Sequence, residues 1–347
     1  MRSLIDKLCH EKVLSKKEFV KVLTFSNHDD AQYLFKKSRA VADGQFGKKI
    51  FFRGLIEFTN YCQNDCYYCG IRKSNLNAER YRLEKKDILA CCAKGYGLGF
   101  RTFVLQGGED GWYTDERLIE IIAAIRSTYQ DCAITLSVGE KTYDQYLKYF
   151  KAGADRYLLR HETANEEHYA KLHPAEQRAQ NRYQCLYALK KIGYQVGAGF
   201  MVGSPYQTVE NLAEDLLFIK MLEPQMVGIG PFIPHKDTVF ANFPAGKLEL
   251  TLFLLGILRL MLPNALIPAT TALAAIHPQG REMGILVGAN VVMLNLSPSE
   301  ARKRYILYNS TIRSNKEIEN SIVDLRESLK RINYELVVDR GDFEPMA

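Results

Sequence analysis

Two regimes of hydrophobic patterning follow one another along this chain. Up to residue 48 the apolar positions recur at helical spacing, as in Ala31–Val41, and Ser15 with Glu18 carries the capping-box signature of a short helix. From Phe51 the period changes. Phe51–Phe58 (FFRGLIEF) is β-rich and largely apolar. Seven more short apolar runs follow, at Thr102–Gln106, Ala133–Ser137, Arg156–Arg160, Gln195–Phe200, Met226–Gly230, Ala265–Ala269 and Asn290–Leu294. Helical patterns separate them, at Lys85–Lys94, Asp115–Tyr129, Thr142–Ala152, Asn181–Ile192, Val209–Leu222, Leu250–Met261 and Gly280–Val287, with a last one at Lys316–Arg331.

Near-continuous apolar strands separated by helices predict a parallel sheet covered on both faces. Eight such strands predict an α/β fold, a single closed (β/α)8 TIM-type barrel. An open doubly wound sheet is the structural alternative. The predicted layout is an N-terminal helical extension over residues 1–48, the barrel over 49–310, and a C-terminal helical tail over 311–347. No linker, tandem repeat or low-complexity tract marks a second domain.

In this fold active sites lie at the C-terminal ends of the strands. The first predicted strand runs into Cys62. The second ends Gln106-Gly107-Gly108-Glu109, the third carries Thr135 and Ser137, and the fourth ends Arg160-His161-Glu162. The sixth ends in Gly228, Gly230 and Pro231, the seventh in Thr270-Thr271, and the eighth in Met293-Leu294-Asn295. Polar residues and glycines thus gather along one edge.

Composition narrows the class. The 347 residues are 47% hydrophobic and 25% charged, which excludes disorder, collagen and coiled coil as the main state. The net charge of +6 is small and scattered, so no nucleic-acid partner is predicted. The longest apolar stretch, Leu252–Leu258, falls far short of the ~20 residues of a membrane span. Asp6, Lys7, His10, Glu11 and Lys12 break up the start, so it lacks the apolar centre of a secretory signal. A cytoplasmic enzyme without a membrane partner is the expectation.

Three of the eight cysteines fall in Cys62-Gln-Asn-Asp-Cys66-Tyr-Tyr-Cys69. Thiolates at this spacing can wrap one small iron–sulfur cluster in a tight loop. Three ligands on a four-iron cube leave one iron open to a substrate or cofactor. Structural zinc is the rival, but it favours four ligands, and His161 and His235 lie at no local spacing to complete a tetrahedron. Cys91 and Cys92 are adjacent on a predicted helix and point about 100° apart, which suits packing rather than chelation. Cys9, Cys132 and Cys185 are isolated.

The CxxxCxxC motif after the first strand, with Tyr68 before its last cysteine, resembles the radical S-adenosylmethionine superfamily. Further segments are similar to its [FeFe]-hydrogenase maturase branch. These are Ile56–Arg72 (IEFTNYCQNDCYYCGIR), Val104–Asp110, Gly153–Asn165, Met226–Thr238, Ile267–Ala272 and Gly288–Pro298, in order from about residue 50 to 305. The resemblance implies a [4Fe-4S] cluster on Cys62, Cys66 and Cys69, with S-adenosylmethionine on its fourth iron. Reduction then yields a 5′-deoxyadenosyl radical. Tyr68 would lie by the adenine, and Gly107, Gly108 and Glu109 by the amino group. Glu162 would take the ribose or amino end and Arg182 the methionine carboxylate, with Ser137 beside the cofactor. A planar guanidinium suits a carboxylate through two parallel hydrogen bonds.

The resemblance also implies a substrate pocket of Arg53, Gln106, Thr135, Arg156, Arg160, Thr270, Thr271, Met293 and Tyr305. Arg53, Arg156 and Arg160 make a basic set fit for an anion. An arginine in an apolar strand needs a partner, and Glu57 could pair with Arg53 instead. Thr270 and Thr271 could equally cap the segment that follows. His161 reads as a hydrogen-bonded structural histidine, and His235 as a residue of a loop over the barrel mouth.

The branch implies a small organometallic substrate, a cysteine-bound iron carbonyl cyanide, whose sulfur the radical attacks. It also implies an electron donor such as flavodoxin or ferredoxin, and docking with other hydrogenase maturases. Some members carry a second cysteine triad near the C-terminus. Here that region reads Asn309-Ser-Thr-Ile-Arg-Ser-Asn, so no second cluster is predicted. An amino-acid carbon-skeleton mutase, like the methylornithine synthase of pyrrolysine biosynthesis, is the alternative, since a basic pocket also suits an amino-acid-derived substrate. Sulfur insertion like that of biotin synthase fits less well, because no further cysteine ends a predicted strand. A non-catalytic iron–sulfur carrier would need neither Glu162 nor Arg182.

Overall fold

The computed structural model describes residues 1–309 and 317–345. Ten strands form among them: β1 (Lys49–Thr59), β2 (Thr102–Gly107), β3 (Ala133–Ser137), β4 (Arg156–Leu158), β5 (Gln195–Ala198), β6 (Met201–Val202), β7 (Met226–Val227), β8 (Gly230–Pro231), β9 (Val291–Asn295) and β10 (Glu335–Val337). The main sheet is parallel throughout, in the order β1-β2-β3-β4-β5-β7, with β9 on the other side of β1.

The predicted seventh strand closes the ring. Leu266 donates its N–H to Gln225 (2.9 Å) and accepts from Val227 (3.1 Å), while Ile267 accepts from Val291 (3.2 Å) and Ala269 donates to it (2.9 Å). Parallel bridges Met226↔Leu266 and Pro268↔Val291 tie it to both neighbours. Pro268 has no N–H, which keeps these contacts from extending into a full ladder. Arg259 is fully buried beneath this stave and donates to the carbonyls of Pro263, Ala265 and Gly288 and to Asn290 Oδ1. The fold is thus an α/β barrel of eight parallel staves.

Two staves are broken where single strands were predicted. Gly199 sits at φ +156, and a Cβ there would lie 1.9 Å from the Gly228 carbonyl oxygen. The kink ends the predicted Gln195–Phe200 strand at Ala198 as β5, the chain resumes just past it as β6, and β8 follows as the partner of β6. β4 likewise ends at Leu158, before Arg160.

Side chains alternate along each strand. Phe52, Ile56 and Phe58 of β1 join the main core under the helices, with Phe52 against Phe100 and Phe58 against Tyr113. Phe51, Arg53, Leu55 and Glu57 therefore face the barrel interior. A separate cluster of Phe51, Met226, Leu266 and Val291 fills the floor, with Phe343 packed on it.

The N-terminal helices wrap the barrel's outside. The helix His28–Phe46 lies so close to the helix Leu248–Met261 that a Cβ on Gly256 would meet Leu34 Cγ at 3.1 Å. The capping box of Ser15 and Glu18 forms as predicted. Past the helix Ile318–Arg331 the tail is not helical: β10 pairs with β1, and residues 339–344 cross the barrel floor. The predicted helix start at Lys316 and the cysteine-free stretch 310–316 lie outside the described residues. Among the described residues no helix is long and apolar enough to cross a membrane.

Candidate active site at the barrel mouth

β1 runs directly into the cysteine loop at the C-terminal end of the barrel. Cys62 Sγ accepts the backbone N–H of Glu109 at 3.3 Å, so the loop is stitched to the end of β2. Gln63 N–H donates to the Glu109 carbonyl at 2.9 Å. A Cβ on Gly108 would lie 2.2 Å from the Tyr61 oxygen and 2.7 Å from Cys62 Cβ, so only glycine permits this approach. At the loop's other end, a Cβ on Gly70 would fall 2.6 Å from His235 Cδ2. His235 therefore buttresses the turn after Cys69, a role the sequence did not disclose.

The three thiols are free and half-buried. Burial raises all three above the ordinary thiol range, Cys66 to about 12. Neighbouring cysteine charges add to the rise at Cys66 and Cys69. Such a site welcomes a cationic centre that would deprotonate the thiols by coordination. Among the described residues no three His, Cys, Asp or Glu side chains converge on a point for one ion. A cluster asks for less convergence, since each thiolate binds its own iron. The donor set and the cradle therefore fit an iron–sulfur cluster on Cys62, Cys66 and Cys69.

Around the triad lie the residues expected to hold S-adenosylmethionine. Tyr68 is oriented by His173, whose Nε2 lies 3.2 Å from its hydroxyl. Glu109 is buried, accepting from Gln63 Nε2 (3.3 Å) and from the Glu140 N–H (2.9 Å). Arg182 lies on the helix Ala179–Ile192 and is 7% exposed, which excludes a solvated helix-start charge. Its Nε donates to Glu140 at 2.9 Å and one terminal nitrogen to the Arg160 carbonyl at 3.2 Å. Burial works against its charge, but Tyr169, Glu140, Tyr68 and Cys66 hold its pKa above the ordinary value. The Arg182–Glu140 pair has no precursor in the motifs, because the two residues meet only across the mouth.

Glu162 stands in the left-handed region at φ +67, which a non-glycine residue adopts under constraint. Its backbone is clamped, donating to Gly199 and accepting from Met201. The helix Val209–Leu222 supports this turn from behind. Asp215 accepts the Ala164 N–H at 2.5 Å, and His161 Nε2 lies 3.3 Å from the same carboxylate oxygen without hydrogen-bond alignment, so the expected hydrogen-bonded histidine is instead a buried one with no hydrogen bond to either ring nitrogen among the described residues. Burial holds His161 neutral, with its pKa lowered to about 3, and raises Asp215 well above the carboxylate range.

Inside the barrel several buried polar atoms lack a hydrogen-bond partner among the described residues. They are Arg53 Nε and one terminal nitrogen, Thr135 Oγ1, Arg160 Nε and one terminal nitrogen, Glu162 Oε2, and Thr270 Oγ1. Arg160 reaches Glu162 at 3.2 Å, though without hydrogen-bond alignment. Thr270 caps nothing despite its helix-start position. Thr271 instead meets the Tyr308 hydroxyl at 3.1 Å, and Gln106 donates to Tyr305 at 3.4 Å. Met293 lies opposite Arg53, and Ser137 opposite Gln106.

Two sequence expectations are corrected here. Arg53 does not pair with Glu57: it donates to Met226 Sδ at 3.1 Å, and Glu57 accepts from Asn295 Nδ2 at 2.6 Å. Arg156 does not line the pocket. It points into the floor and donates to the Arg340 and Gly341 carbonyls, to Asp342 at 2.6 Å and to Thr102. Its position at the start of β4 places it a full strand below the mouth.

A cysteine-loop cradle and cofactor-sized polar groups at the mouth of a parallel barrel define a radical S-adenosylmethionine enzyme, and this chain belongs to that superfamily. A family model described as Radical SAM superfamily matches residues 56–219. Over 311 residues the chain is 42% identical to the [FeFe] hydrogenase maturase subunit HydE of Thermotoga maritima, covering 90% of this chain and 88% of that one. It is 28% identical to the 3-methylornithine synthase of Methanosarcina acetivorans, over 92% and 88% of the two chains. A crystal structure of methylornithine synthase superposes with a TM-score of 0.83 at 26% identity, covering 96% of this chain and 97% of that one.

Proposed function

We propose that this chain acts in assembling the active site of [FeFe]-hydrogenase, on a cysteine-bound iron carbonyl cyanide as substrate. The reading rests on the near full-length match to HydE, at an identity well above that to the mutase. Cluster and S-adenosylmethionine supply a 5′-deoxyadenosyl radical when bound at the mouth. The chain's own residues shape what that radical meets. Arg160 and Thr270 offer unused donors to the carboxylate or cyanide of the substrate, and Arg53 offers a second cation deeper in the barrel. Such buried donors are costly unless a ligand takes them up. The closed floor keeps bulk water from the reacting atoms.

The second reading is an amino-acid mutase, favoured by the 0.83 TM-score over nearly the whole length of both chains. The same donors suit an amino-acid carboxylate. Anaerobic turnover by the reconstituted, reduced protein separates the two. We expect the iron complex to stimulate 5′-deoxyadenosyl transfer, with a new bond between the adenosyl carbon and cysteine sulfur. Stimulation by lysine alone, with isomerised product, would move the chain to the mutase reading.

A further inference from the structure

One flank of the barrel mouth runs from the cysteine loop to solvent. Tyr61 immediately precedes Cys62, is 36% exposed, and rests its backbone on Gly108. The Arg82 guanidinium covers its ring at 3.7 Å and reaches the ring of Trp112 at 5.6 Å. Arg117 covers Trp112 from the helix Asp115–Thr128, at 3.7 Å, and donates to its carbonyl at 2.8 Å. Trp112, the only tryptophan, is 39% exposed. The result is one contiguous band of Tyr61, Arg82, Trp112 and Arg117.

Its charge is positive. Asp110, itself buried, neutralises Arg82 at 2.6 Å from beneath, so the band's charge comes from Arg117 and from Arg80, whose guanidinium lies 6.0 Å from the Tyr61 ring with no carboxylate within salt-bridge distance among the described residues. Among the described residues no carboxylate lies within salt-bridge distance of Arg117. Aromatic rings and arginines are the residue types that dominate interface energetics. Stacking also fixes the guanidiniums in place, so little side-chain freedom is lost on docking.

We infer that the Tyr61–Arg82–Trp112–Arg117 band is the docking surface for a small acidic one-electron carrier that reduces the cluster. The inference rests on the cluster being held by the cysteine triad. The carrier is oxidised by one electron as the cluster is reduced by one, and Tyr61-Cys62 is the direct covalent continuation from the band to a cluster ligand. Positive surface against acidic carrier accelerates encounter and fails at high salt. A second aromatic face flanks the loop, where Tyr206, 55% exposed, packs on Phe240 and Phe243. It carries one stacked cation, Lys171, and so offers less to an acidic partner.

The test uses the full chain, with reduced flavodoxin as the probe. In R117E, cluster reduction by flavodoxin should slow about tenfold at low ionic strength and converge with the unmodified protein in high salt. Reduction by dithionite, which needs no docking, should be unchanged. Before cluster reconstitution, flavodoxin should quench Trp112 fluorescence, and R117E should need about tenfold more of it. Y206A should behave as the unmodified protein in every arm. Equal rates for R117E and the unmodified protein at low salt, or a loss in Y206A instead, would overturn the assignment. A matching loss with dithionite would also overturn it, by showing a damaged cluster rather than a lost docking surface.

Discussion

The floor and the mouth of this barrel bury the same residue type in opposite ways. Arg156, at the floor, is fully buried, and oxygen acceptors from Thr102 and the tail meet its guanidinium. Both terminal nitrogens of Arg156 are taken and only its Nε is left over, whereas Arg53 and Arg160, above it, each keep Nε and a terminal nitrogen with no hydrogen-bond partner among the described residues. Burial cannot explain the difference at Arg53, which is only 6% exposed, while the Arg160 side chain, nearer the opening, is 32% exposed. What differs is what the chain brings to each place. The tail places Asp342 and two carbonyls under Arg156 and seals the end where no substrate enters. Toward the mouth the chain brings a thioether to Arg53 and a misaligned carboxylate to Arg160, leaving donors for something outside the chain. A satisfied charge marks construction, and an unsatisfied one marks a place for a ligand.

The largest effect should come from breaking the floor. D342A leaves Arg156 buried with its carbonyl bonds but without its hydrogen-bonded counter-charge, Asp155 acting only from further off, which should lower unfolding stability by about 3 kcal/mol. Gln195 also loses its bond to Asp342, at 3.1 Å. Chemical denaturation reads this directly. A change near zero would mean that the carbonyls alone satisfy Arg156, and the contrast with the mouth would then rest on hydrogen bonds rather than charge.

A titration sharpens the same contrast with a carboxyl group. Glu57 faces the interior with Asn295 as its partner, and burial raises its pKa to about 8 against that bond. In the folded chain it holds a proton that the unfolded chain releases above about pH 4.5. The folded state thus binds more protons between those values, and stability falls as pH rises from about 4.5 through 8. E57Q stays neutral at every pH and can still accept from Asn295. It should gain on the unmodified protein as pH rises, by at least about 1 kcal/mol at pH 8. Parallel stability curves from pH 6 to 8.5 would show that Glu57 is ionised in the fold.

Much of this frame was legible in the sequence because strands and helices carry their own periods. All eight staves and the cysteine loop could be placed from patterning and spacing. The breaks in β5 and β7 could not, since Gly199 meets the Gly228 carbonyl only after the strands are side by side. β10 escaped because three residues carry no period, and with it went the role of Arg156, which depends on a tail 184 residues away in the chain. Glu140 and the buttressing role of His235 were missed for the same reason: each acts through a partner distant in sequence, Arg182 for one and the Gly70 turn for the other. The pattern fixes which residues face inward. It does not say which inward charges the fold itself consumes.

The smallest expected change in stability is the one that separates the two regions most cleanly. Among the described residues Arg53 donates only to the Met226 sulfur, at 3.1 Å, and it lies near Arg156, whose charge disfavours its own. Replacing it by Met removes a buried charge that the chain does not satisfy and keeps an apolar stem of similar length. R53M should therefore leave unfolding stability within about 1 kcal/mol, or raise it, where D342A loses about three times as much. Its cost should appear in binding. The KM for the iron complex should rise about tenfold, the equivalent of one charge-assisted hydrogen bond. Denaturation and turnover on the same preparation decide the matter: a variant that unfolds as readily as D342A would make Arg53 part of the construction, and the mouth would begin one layer higher, at Arg160.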